Sequence, residues 1–200
     1  LGQLYPGDPG AAARAAWQDG EISHYHNGIL GEVFNAVLCS MAFYERDIRR
    51  LVRQAVACIP ADSQYGGVIR FALDQCRSHT EWMPAWRACE SRFERYNWVH
   101  SYPNAAIEVI ALWFGNGDFT DTLEICGLCG KDADCNAAQV MTVWGTVYGS
   151  AAIPPEWAEP FGDSLKTYVR GMENLSIRTL AARTAAVARK LSGRAASAAL

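Results

Sequence analysis

No window of this chain approaches the ~20 uninterrupted apolar residues that a membrane-spanning helix needs. Positive charge is not in excess either. Eighteen Lys and Arg stand against 21 Asp and Glu, for a formal net charge of -3, which excludes a nucleic-acid binder working through a basic surface. No stretch alternates with period two over a strand's length, so little sheet is expected. No sequence unit recurs at a fixed period, which excludes a solenoid or an array. The first residues carry no basic segment followed by an apolar one, as a secretory leader would. The seven cysteines are odd in number and scattered through apolar stretches, unlike the paired scaffold of a short secreted domain. They read as reduced thiols packed as small hydrophobes in a cytoplasmic protein.

What remains is apolar and helical. Half of the 200 residues are hydrophobic and 20% are charged, enough for one domain with a sizeable core. Asp8-Pro9 reads as an N-cap with proline at the first helical position, and Gly20 ends that helix. A long apolar run with small residues, Gly28 to Tyr44, suits a buried helix. Asp47, Ser63 and Asp118 read as caps of further helices, and Gly115-Asn116-Gly117 breaks the apolar run Asn104 to Phe114. Ser176 opens a last helix with an apolar stripe from Ile177 to Leu191. The expectation is an all-α chain of nine or ten short helices, ending in the Ala/Ser-rich residues 192–200 as a flexible tail.

The most informative segment is Cys129-Gly130-Lys131-Asp132-Ala133-Asp134-Cys135-Asn136-Ala137-Ala138. Two carboxylates one residue apart, in a loop entering a helix, can turn their oxygens to one hard cation. Mg²⁺ is usually held by a few carboxylates plus waters. An Asp N-cap beside a solvated loop acid accounts for the same residues. An EF-hand does not, since neither the sixth-position Gly nor the twelfth-position Glu is there.

Four segments together resemble the ADP-ribosylglycohydrolase family. Gly130 to Trp157 is similar to its pattern G-x-D-T-D-(T/C)-N-A-A, followed by a G-A-x-x-G helix and I-P-x-x-W. Ser23 to Gly31 resembles S-H-x-x-N-G-I-Y-G, Trp98 to Ala106 resembles W-V-H-T-x-x-N-A-A, and Gly115 to Thr120 matches the G-x-G-D-F turn. They stand in the family's order, between about Tyr5 and Leu191. The resemblance implies an orthogonal multi-helix all-α bundle with a dinuclear Mg²⁺ centre (Mn²⁺ in some members). It implies hydrolysis of the glycosidic bond of an ADP-ribosylated protein or small molecule. Asp132 and Asp134 fall on metal-ligand aspartates. Cys135 falls where many members place a metal-ligating Thr, but sulfur is a poor partner for Mg²⁺, so this position is expected to leave the metal to water. Lys131 departs from the common Gly or Trp. His24, Asn27, Gly28, His100 and Asn104 fall on or beside ligand-binding positions, whereas Trp144 and Trp157 read as core.

The family's N-terminal Thr-Asp-Asp motif and its nearby Glu do not occur, so no catalytic acid or base is assigned. Two metals need five or six protein ligands, and two clear ones are present. The expectation is that residues 1–191 are the C-terminal part of a single ADP-ribosylglycohydrolase-like domain, incomplete at its N-terminus and active only as part of a longer chain, with a truncated relative as the alternative. Other readings stay open: a non-catalytic ADP-ribose-binding or crystallin-like relative, a helical interaction domain, and a zinc module on Cys126, Cys129, Cys135 and His100. The last lacks a second cysteine pair at matching spacing.

Overall fold

The structure is a computed structural model that describes residues 1–198. Ten α-helices follow in order: α1 Pro9–Gly20, α2 Asn27–Met41, α3 Ile48–Cys58, α4 Gln64–Ser78, α5 Trp82–Phe93, α6 Ser101–Gly115, α7 Phe119–Leu128, α8 Ala133–Tyr148, the short α9 Pro155–Ala158 and α10 Ile177–Ala198. The expected caps are in place. Asp8, Asp47, Ser63 and Asp118 each accept a hydrogen bond from a first-turn amide, filling donors that a helix start leaves open.

Helix α6 is the hub. Every residue from Tyr102 to Trp113 is buried, and the helix packs against α2, α3, α4, α5, α7 and α8. A helix apolar around its whole circumference has to be enclosed this way. Tyr65 of α4 and Phe34 of α2 are the largest fully enclosed side chains of the core, with ring centroids 6.1 Å apart.

The all-α class holds, with one addition. Residues Ser164–Lys166 (β1) and Asn174–Ser176 (β2) pair as an antiparallel ribbon, too short for alternation to reveal. Helix α10 is helical through Ala198, so residues 192–198 of the expected tail continue it, while Ala199 and Leu200 lie outside the described residues. Its principal packing is on the 3-10 turn Gly2–Leu4. A largely apolar groove of about 740 Å³ runs beside it, lined by none of the residues singled out for chemistry. Among the described residues, no helix is long and apolar enough to cross a membrane.

Candidate active site

Helix α8 begins three residues earlier than the apolar pattern implies, and this decides the geometry of the carboxylates. Asp132 stands at the N-cap, Asp134 in the first turn and Cys135 one residue further on. Gly130 (φ 73°) and Lys131 (φ 62°) both lie in the left-handed region and turn the chain sharply from α7 into α8. Glycine adopts this freely and lysine does not, so Lys131 is held there under strain. Its ammonium is 3.8 Å from Glu90 of α5.

Asp132 occupies the capping position yet caps nothing: its side chain accepts no helix-end amide. Instead, one ligand atom each of Asp132, Asp134 and Cys135 lie within 4.8 Å of one another. They form the one such metal-capable group among the described residues. The Cys135 thiol is hydrogen-bonded to the Asp132 carboxylate, which pushes its pKa up. Hard cations such as Mg²⁺ prefer oxygen to sulfur, so the two carboxylates are what this end of α8 offers a hard cation. Together with waters they suit Mg²⁺.

Asn104 holds this loop in place. Its Nδ2 donates to the carbonyls of Trp98 (2.8 Å) and His100 (2.9 Å). Its Oδ1 accepts from the Asp132 amide (3.2 Å) and from Asn136 Nδ2 (2.7 Å). Two donors and two acceptor sites are all that an amide side chain has. Asn104 is therefore saturated within the protein: it positions the loop and has no hydrogen bond left for a ligand.

The other expected residues divide similarly. Asn27 Oδ1 accepts from the Tyr65 amide at 2.9 Å, which ties the start of α2 to the first turn of α4. His100 is the N-cap of α6, its Nδ1 accepting from the Tyr102 amide. Its ring packs between Tyr96, tilted with its centroid 4.3 Å away, and Tyr102, edge-on at 4.7 Å, and burial pushes its pKa down. His24 and Gly28 do line a cleft, of about 290 Å³. His24 Nδ1 is 2.7 Å from Ser23 Oγ, and a Cβ on Gly28 would come within 3.2 Å of the imidazole Cδ2. Glycine at 28 is what lets His24 fold back over the start of α2. Just before it, His26 has φ 44°, a conformation that costs energy and is often kept near functional sites.

The cleft also brings in Glu32, Asn35, Gln139 and Glu108, which the motifs do not mark. Glu32 is hydrogen-bonded to Asp19, and burial together with that neighbouring carboxylate raises its pKa. Glu108 was signalled only by being the single charged residue in the apolar run of α6. Trp144 is buried, with its indole N–H on the Gly117 carbonyl, whereas Trp157 is 45% exposed, packing on Phe119 with its ring centroid 5.8 Å away. Cys126 and Cys129 are buried thiols, the former raised to about 12 by burial, and His100 stands apart from them. The zinc reading therefore finds no cluster among the described residues.

The family profile described as ADP-ribosylglycohydrolase matches residues 1–192. The chain belongs to the ADP-ribosylglycohydrolase family. No curated protein and no solved structure matches it significantly. Membership identifies this protein as hydrolase-like and of the glycohydrolase type, and the carboxylate pair at the start of α8 lies within the matched region.

Proposed function

We propose that this ADP-ribosylglycohydrolase family member hydrolyses the glycosidic bond of an ADP-ribosylated protein or small molecule, releasing ADP-ribose, with Mg²⁺ or Mn²⁺ held by Asp132 and Asp134. The observation that carries this reading is the Asp132 carboxylate, which forgoes the cap its position offers and faces a second carboxylate instead. A bound dication supplies polarisation of water and stabilisation of negative charge. The chain's own residues supply the rest. Asn104 and Asn136 fix the loop, and the α8 N-terminus favours an anionic oxygen beside it. His24, with Nδ1 engaged by Ser23, is placed on the cleft wall to donate through Nε2 to a ligand oxygen. The seven unpaired cysteines support a reducing, cytoplasmic setting.

The test is release of ADP-ribose from arginine-linked and serine-linked ADP-ribosylated peptides, with and without Mg²⁺. The reading expects slow, Mg²⁺-dependent release that is abolished in Asp132→Asn/Asp134→Asn. A non-catalytic, ADP-ribose-binding role is the second reading. It is favoured by the small ligand set, since two carboxylates are fewer than a dinuclear centre uses. Calorimetric binding of ADP-ribose with no release from either peptide would establish it in place of the first.

A further inference from the structure

Helix α10 is amphipathic, yet much of its apolar face is uncovered. Its principal packing is on the 3-10 turn Gly2–Leu4 and on β2, and no other helix joins it to a comparable extent. Such a helix is held mainly by burying its apolar face, and here that face forms one wall of the apolar groove. Ile177, Leu180, Thr184 and Ala188 recur along it at helical spacing, and Gln3, Pro6 and Phe43 supply the lining from outside the helix. Ile177 and Phe43 are 42% and 43% exposed. The lining runs along α10 from Ile177 to Ser192, roughly 22 Å at the rise of an α-helix, or about four turns.

The charge beside the groove indicates what fits it. Residues 177–193 carry Arg178, Arg183, Arg189 and Lys190 and no Asp or Glu. Arg189 lines the groove itself, and no carboxylate does. Arg178 interacts with Asp163, whereas Arg183, Arg189 and Lys190 enter no ion pair among the described residues. A second copy laying its α10 on this one would set like charge against like charge. An anionic bilayer would meet the charges, but a flat surface does not fill a recess bounded by Pro6 and Phe43. An apolar ridge flanked by carboxylates answers both features, in the manner of a helix lying in a groove.

We propose that the groove along α10 docks an acidic amphipathic helix of a partner protein, its apolar ridge seated between α10 and Phe43 and its flanking Asp or Glu residues paired with Arg189 and the neighbouring cations. The groove shares no lining residue with the cleft of His24 and Gly28, so this docking stands independently of the hydrolysis proposed above.

The probe is a synthetic four-turn peptide with a leucine stripe at helical spacing and glutamates on both flanks. A second peptide carries lysine in place of every glutamate. Binding to the full chain is read by fluorescence anisotropy, and its place by the methyl resonances of Ile177, Leu180 and Thr184. The glutamate peptide should bind about tenfold tighter than the lysine peptide, weaken as salt rises, and shift those three methyls. Arg189→Glu and Ala181→Glu, both at exposed positions, should each weaken it about fivefold, the scale of an exposed ion pair, at unchanged melting temperature. Equal binding of the lysine peptide, shifts confined to residues outside the groove, or affinity unmoved by Ala181→Glu would overturn the proposal. So would a chain that sediments as a dimer which Ala181→Glu separates, or flotation on phosphatidylcholine–phosphatidylserine vesicles without binding of the glutamate peptide. The two peptides on the wild-type chain decide the matter even if a variant does not fold.

Discussion

Asn104 and Glu108 stand one turn apart on the same buried helix and treat hydrogen bonding in opposite ways. Asn104 spends its whole capacity inside the protein, on two carbonyls, an amide N–H and a second asparagine. Glu108 leaves an oxygen empty. Both are polar intrusions into a helix that is otherwise core, but the first lowers the energy of the fold and the second raises it. A saturated buried group explains itself by what it holds. An unsaturated one is tolerated at a cost to stability, and so points away from the scaffold and towards a ligand.

The largest expected effect comes from removing the saturated side. Asn104→Leu strands four partners, and at about 1 kcal/mol for each hydrogen bond it should lower stability by roughly 4 kcal/mol, read as the urea midpoint at unchanged slope. A loss under about 1 kcal/mol would break the contrast. Next comes Glu108 itself, through pH. Burial lifts its pKa from the ordinary 4.5 to about 7, so between those values the folded chain keeps a proton that the unfolded chain has released. Stability should therefore fall as pH rises from about 4.5 to 7, by roughly 3 kcal/mol, with the full penalty standing above pH 7. Glu108→Gln should flatten this slope in urea unfolding at pH 5 and pH 8. A smaller effect belongs to the carboxylates: Asp132→Asn should cut Mg²⁺ affinity about tenfold (roughly 1.4 kcal/mol) in calorimetry, with little change in melting, because that side chain caps nothing. The smallest is Lys131→Gly, which relieves a left-handed lysine and should stabilise by about 0.5–1 kcal/mol in the same urea assay.

Most of the helices were legible because their punctuation is chemical: Asp8, Asp47, Ser63 and Asp118 cap where a cap is needed. The start of α8 was not, since its first turn carries Asp and Cys instead of apolar residues and reads as loop. That turn nevertheless gathers Asp132, Asp134 and Cys135, so motif spacing located the residues better than periodicity located the helix. Asn27, His100 and Asn104 were visible as site-associated positions, but their work in holding loops and helix starts depends on backbone partners 2 to 38 residues away. A capping rule reaches the partner of His100, but no spacing rule reaches those of Asn27 and Asn104. Glu32 and Gln139 join the cleft only through the packing of α2 and α8, which a linear pattern does not encode. Glu108 left one trace, a single carboxyl among apolar neighbours, which marks an anomaly without saying what it faces.

The central claim is that the end of α8 and the cleft beside α6 serve one ligand, linked through Asn104. Its most direct test is the calorimetric affinity of the chain for ADP-ribose, measured with and without Mg²⁺, in wild type and in Asp132→Asn/Asp134→Asn. If the two regions form one site, Mg²⁺ tightens ADP-ribose binding, ADP-ribose tightens Mg²⁺ binding by the same factor, and the double variant abolishes both effects. Equal affinity for ADP-ribose with and without Mg²⁺, or a Mg²⁺ effect that survives the double variant, would contradict it.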